Sequence, residues 1–416
     1  MKLKRVLCTV LAALLLGGCS VGQQEIPQHS ETTPVTEPVT EAVTEPATEA
    51  TTVTTTVPTT TTEATTTEPP EPEFYTVHLV CAGDNLIHSS IYNQAKRRAA
   101  ANGLEGYDFS YVYERVEHYI KDADLAILNQ ETVVTDEFEP SDYPRFCSPS
   151  DLGEAVIGLG FRVFSMSNNH VLDKDEAGLL ATLRYWDSHE DIVRYGAYRD
   201  EDDMNNIRTI EVNGITFAFL GYMEHTNGLS LPSDSACKIT YLRELELIEQ
   251  QIRRADEIAD VVVVSPHFGV EISNEVTDSQ RYLAKLFVDW GADLIIGTQP
   301  HTAQEMEYIE REDGTKAFCF YCLGNFVSAQ ENPKAMVGIL GDLDVVKNTE
   351  TGEITFENIK AIPLITQYGG NYHQVHIVPY AEYTDEELRA HGNAKFSQAT
   401  IDSVLGYIPE EFLAIE

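Results

Sequence analysis

SMSNNHVLDKDEAGL, residues 165–179, sets two asparagines and a histidine between an apolar run and a helix start. FRVFSMSNNH has the aromatic and β-branched content of a buried strand, and DEAGLLATLRYWDSH has helical apolar spacing. An asparagine pair is ordinary turn chemistry, because asparagine accepts left-handed backbone angles. One such residue would make the turn. Asn168, Asn169 and His170 together therefore ask what else the chain delivers to the same place.

The same strand-then-helix rhythm runs outward in both directions. TVHLVCAGD, ADLAILNQE, DVVVVSPHFG and ADLIIGTQPH read as buried strands. SYVYERVEHYIKD, SPSDLGEAVIGLG, a segment near 240–258 and TDSQRYLAKLFVDWG read as helices, the second ending on a glycine as a helix should. IRTIEVNG and ITFAFLGY form a hairpin around Asn213-Gly214. Beyond residue 300 the chain is mostly strand: QEMEYIE, AFCFYCLGNF, MVGILGDLDVV and GEITFENIKAIPLIT, with a helix at TDEELRAHG. Alternation of this kind predicts parallel strand pairs joined by helical crossovers, and the hairpins add antiparallel members. The expected fold is α/β, two mixed sheets packed face to face with helices outside.

The polar residues fall at strand ends. Asp84 ends the first strand, Asn129 and Glu131 the second, and Asn168, Asn169 and His170 the third. His267 and His301 end two later strands. Carboxyl ends of strands in α/β sheets form the crevice where ligands bind, and oxygen and imidazole donors gathered there suit one or two divalent cations. Each residue also has an ordinary role: helix cap, solvated loop acid, turn former, or satisfied core histidine. Those readings lose ground jointly, because all five strands end in the same kind of residue. Trp186 and Trp290, at apolar positions on helices, are expected in the core.

The ordered set GDN, NQE, SNNH, PHFG, GTQPH and LGNF, over residues 76–330, resembles the CapA family of capsule-synthesis proteins associated with poly-γ-glutamate, whose fold is similar to that of calcineurin-like metallophosphoesterases. The resemblance implies an αββα sandwich and a centre of one or two ions of manganese, zinc, iron or magnesium. It assigns Asp84 to the first metal, Glu131 to the bridging place, Asn169 to the second metal, and His267 and His301 to completing the two shells. His170 would stand off the metal, face the substrate and protonate its leaving oxygen, so a neutral ligand and a proton donor approach from adjacent positions. His88 and Gln299 are further ligand candidates; Gln299 stands where the CapA pattern often has histidine. Gly324 and Asn325, in YCLGNFV, are either a structural turn or a strand end beside the site.

The N-terminus adds a setting. Lys2, Lys4 and Arg5 precede VLCTVLAALLLGG, too short for a stable span, and Leu16-Gly17-Gly18-Cys19 resembles a bacterial lipobox. Residues 1–19 are read as a lipoprotein signal peptide, and lipidated Cys19 would anchor the chain to the outer face of the cell membrane. Residues 20–73, with ten glutamates, no aromatic residue and no lysine or arginine, cannot bury a core and are expected to form a tether. The folded domain is residues 74–416. A formal charge of −39 excludes the basic footprint of a nucleic-acid binder. An anionic substrate would need a local positive centre, which a cation supplies. Cys81, Cys147, Cys237, Cys319 and Cys322 are read as buried thiols, an odd set without disulfide spacing.

Three functions remain open on the sequence. One is synthesis, export or attachment of poly-γ-glutamate or a related anionic polymer, beside membrane subunits for capsule synthesis and export. The others are metal-dependent hydrolysis of phosphoesters or envelope material, and a non-catalytic scaffold that retains the fold.

Overall fold

The computed structural model describes residues 73–415, so the expected signal peptide, Cys19 and nearly all of the expected tether lie outside the described residues. No helix among the described residues is long and apolar enough to cross a membrane.

Two mixed sheets carry the fold. In the larger, Phe74–Asn85 is central, with Leu125–Asn129, Val163–Ser165 and Val193–Tyr195 following in parallel on one side. On its other side Val337–Asn348, Ile354–Gly369 and His373–Pro379 follow antiparallel. The second sheet runs Met306–Glu310, Lys316–Phe320, Leu294–Ile296, Val261–His267, Ile215–Met223 and Arg208–Val212, its inner members parallel and its outer two antiparallel.

Side-chain alternation shows how the layers meet. Phe217 and Phe219 join Val77, Leu79, Val261 and Phe318 in the core between the sheets. Their neighbours Ala218, Leu220 and Tyr222 face the other way, against Ile248 and Ile252 of helix Leu245–Asp256 and Phe287 and Val288 of helix Asp278–Trp290. Buried on both faces, these strands read as unbroken apolar runs such as VVVV. Helices Ser89–Ala101, Ser150–Leu159 and Asp175–Asp187 contribute Ile91, Val156 and Leu183 to the first core. The two sheets with helices outside form the expected sandwich. Trp186 is fully buried and Trp290 half-buried against the second core, as their spacing implied.

Three local expectations change. SYVYERVEHYIKD forms two short helices, Ser110–Tyr113 and Glu117–Lys121. Three helices the apolar spacing did not single out, Ser89–Ala101, Glu201–Asn205 and Gln398–Leu405, are present. AFCFYCLGNF is two strands in different sheets: Lys316–Phe320 in the second, and Asn325–Val327 beside Phe74–Asn85 in the first. The chain passes between sheets at Tyr321–Gly324, and Gly324 takes a left-handed φ of 71°. All five described cysteines are buried and free, and Cys319 lies among the outward-facing core residues.

The crossing leaves no room at Gly83, where an added Cβ would sit 1.9 Å from the Gly324 carbonyl oxygen, the acceptor of the Asp84 amide. Gly83→Ala is expected to cost about 1–3 kcal/mol through overpacking, read as a lower urea midpoint. It should also displace Asp84, so metal content measured on the same sample should fall.

Candidate metal centre

Six strands, or the loops that follow them, converge on one buried group. Asp84 and Asn129 are paired in register at the ends of adjacent parallel strands, and the Asn129 amide donates to Asp84 Oδ1 at 2.7 Å. His301 arrives from the loop after Leu294–Ile296. Its Nδ1 lies 2.9 Å from Asp84 Oδ2 and 3.1 Å from Asn325 Oδ1. Glu131 Oε2 is 3.8 Å from the same nitrogen, and Glu131 Oε1 is 3.8 Å from His267 Nε2. His267 Nε2 reaches Asn169 Oδ1 at 3.2 Å, while its Nδ1 meets the Thr298 hydroxyl at 2.8 Å. All of these side chains are buried.

Asp84, Glu131 and His301 each offer a ligand atom within 4.8 Å of the others. The decisive feature is Glu131: its side chain is fully buried, and neither carboxylate oxygen has a hydrogen-bond partner. Leaving a carboxylate so placed costs several kcal/mol unless a cation or a proton meets it. Burial and the Asp84 charge push its carboxyl well above the usual carboxylate range. Burial works against the charged form of Asp84 too, but the His301 hydrogen bond and charge hold it below its usual value. Burial alone would lower His301, yet Glu131 and Asp84 raise it to about 9. His267 is instead held down to about 3 by burial, against the pull of Asp84, and is neutral at ordinary pH. Two acids, two imidazoles and carboxamide oxygens suit a borderline divalent ion.

Asn168 and Asn169 divide the labour that the sequence left joined. Asn168 Oδ1 accepts the His170 backbone N–H at 3.1 Å and its amide donates to the Gln130 carbonyl, so it builds the turn. Asn169 turns its oxygen toward His267 and donates its amide to Asn227 Oδ1 at 3.3 Å. Gln299 adopts a left-handed φ of 102° and His301 one of 59°, a strained backbone that its surroundings must hold. The buried Gln299 Oε1 has no partner, which keeps it with the ligand candidates. His88 stands outside the Asp84–Glu131–His301 group. Its Nδ1 accepts the Ala329 backbone N–H, its ring meets the edge of Phe146, and it lines the neighbouring cleft.

Two residues matter more than sequence reasoning allowed. Asn325 is a direct partner of His301, placed by the crossing strand. Asp173 was not singled out: fully buried, it holds His170 Nδ1 at 2.7 Å through Oδ2, which also accepts the Phe146 N–H. Its signal was the acid three residues after the histidine in SNNHVLD, masked by the general acidity of a helix start. With Nδ1 held, and Phe146 edge-on to the ring at 4.8 Å, the His170 ring is fixed with Nε2 left for the cleft. That cleft, about 970 Å³, is also lined by Asn169 and His301.

Residues 78–330 match the family model for "Bacterial capsule synthesis protein PGA_cap". The chain is 30% identical over 233 residues to "Capsule biosynthesis protein CapA" of Bacillus anthracis, covering 54% of this chain and 55% of that protein. It is 32% identical over 223 residues to "PGA biosynthesis protein CapA" of Bacillus subtilis strain 168, covering 53% and 57%. It thus spans about half the length of the curated relatives it matches. Among solved structures, a phosphatase from Mycoplasma pneumoniae aligns with a TM-score of 0.42 at 14% identity, covering 70% of this chain and 95% of that one. A putative 5'-nucleotidase from Staphylococcus aureus aligns at 0.42 and 12%, covering 74% and 55%. Matched over more than half its length by that family model, the chain belongs to the bacterial capsule synthesis protein PGA_cap family.

Proposed function

We propose that this protein acts at the outer face of the bacterial cell membrane, anchored through Cys19, in synthesis, export or attachment of poly-γ-glutamate or a related anionic surface polymer. Its work is metal-dependent bond cleavage or transfer at the Asp84–Glu131–His301 centre. The observation that carries the reading is the buried Glu131 carboxylate with two unpartnered oxygens, a place built for a cation. Asp84, Glu131, Asn169, His267 and His301 would hold the ion or ions, with Gln299 as a weaker oxygen donor. A divalent cation bound there supplies Lewis acidity to a phosphoryl or carbonyl oxygen and lowers the pKa of water. Asp84 and His301 are held by Asn129 and Asn325, so these ligands need little rearrangement. His170, fixed by Asp173, delivers a proton from Nε2 to the leaving atom.

Gln299 in a place where imidazole binds better favours a second reading, a scaffold without a working ion pair. One experiment separates the two. The full chain and its His301→Ala variant are purified without chelator, analysed for metal, and assayed on γ-glutamyl polymer and on a generic phosphodiester. Bound metal that the variant loses, with metal-dependent turnover of either substrate, supports the enzyme and names the bond. An apo protein at micromolar metal supply, inert on both, establishes the scaffold.

A further inference from the structure

The cleft beside His170 is far larger than one phosphoryl or carboxylate group needs, and its lining has a one-sided chemistry. Asp142, Asp173, Glu271 and Glu331 face it against a single guanidinium, Arg145. That guanidinium is already engaged: it donates to the Asp173 carbonyl and pairs with Asp175 at 2.8 Å. In a chain of net charge −39 an acidic wall alone argues little. A second observation gives it direction. Asp173 is fully buried, its Oδ2 is used by His170 and the Phe146 amide, and its Oδ1 has no hydrogen-bond partner although the residue lines the cleft. An unpartnered buried carboxylate oxygen asks for a donor.

A polyanion laid along this wall would bring like charges together, which opposes binding. An anionic group is welcome only at the cation centre. Farther along, the carboxylates of Asp142, Glu271 and Glu331 outnumber the one guanidinium and stand beside neutral hydroxyls such as that of Ser90, a lining complementary to an ammonium group. We propose that the cleft binds a substrate end bearing a primary ammonium group against Asp173 Oδ1, Glu271 and Glu331, with an anionic group directed to the metal centre. This rests on the polymer-acting reading above and narrows it: the protein engages an amino terminus or an amine-bearing acceptor, not the interior of a γ-glutamyl chain. The two sources share one chemistry, an amine within reach of a carboxylate or phosphate.

Binding to the full, manganese-loaded chain tests this with three tetramers: γ-glutamyl with a free amino end, the same N-acetylated, and alanyl with a free amino end. A charge-assisted contact predicts that the free γ-glutamyl tetramer binds about tenfold tighter than its acetylated form. In a Glu271→Gln/Glu331→Gln variant, whose changes fall on exposed side chains, that preference should shrink toward parity while the acetylated compound binds equally or better. Alanyl binding without γ-glutamyl binding would keep the ammonium site and overturn the γ-glutamyl reading. Equal affinity for free and acetylated ends, an undiminished preference in the variant, or binding by neither free-amine compound overturns the proposal.

Discussion

Glu131→Gln is expected to move metal binding and metal-free stability in opposite directions. With the ligand charge removed, affinity for the divalent ion should fall by about 100-fold or more, since even residues behind a ligand are worth about 10- to 100-fold. In excess chelator the same variant should be more stable than the parent, because a neutral amide replaces a buried carboxyl group that meets no partner. The pH dependence has a fixed sign. Burial and Asp84 raise the folded-state value of Glu131, so below the unfolded value of about 4.3 both states hold the proton and the residue costs nothing. As pH rises above that, the unfolded chain ionises while the folded one does not, and the parent loses stability the variant keeps. Chelated unfolding curves of the two should therefore meet near pH 4 and separate toward neutrality. Saturating metal should reverse the order, stabilising the parent by about 2.7 kcal/mol at a hundred times its Kd. Parallel curves in chelator and in metal would sink the assignment of Glu131 as a ligand.

What the sequence disclosed about this centre follows from strand physics. Four or five apolar residues ending abruptly in Asp84, Asn129 or His267 announce a strand whose last residue leaves the core, and parallel neighbours bring those ends together. The contribution of Asn325 was harder to see, because it depends on the chain leaving one sheet for the other between Phe320 and Asn325. From Ala317 onward both strands are buried, so no change in polarity marks the crossing; only Gly324 does. Asp173 was hidden for another reason. A three-residue spacing from His170 looks like helix periodicity, whereas residues 170–174 are a turn that folds the acid back under the ring. His88, close to Asp84 in sequence, stands just before helix Ser89–Ala101 and lines the same cleft as Asn169, His170 and His301.

The Asp173–His170 pair makes the second large prediction. If His170 supplies the leaving-group proton, His170→Ala should lower turnover about 10²- to 10⁴-fold while leaving bound metal unchanged, because neither member of the pair belongs to the ligand set. Asp173→Asn is the finer test. It preserves the shape of a fully buried side chain and can still accept the Phe146 N–H, but it removes the charged acceptor that orients the ring. About a 10- to 100-fold loss in kcat with little change in KM is expected, the pattern of an interaction made in the transition state. Leaving-group dependence distinguishes proton donation from mere misfolding. An aryl leaving group departs as a stable anion and needs no proton, so p-nitrophenyl esters should be nearly indifferent to both substitutions. Alkyl esters or amides, whose leaving groups must be protonated, should show the full defect. A loss equal for both substrate types would place His170 in binding or in the structure of the cleft instead of in proton transfer, and Asp173 with it.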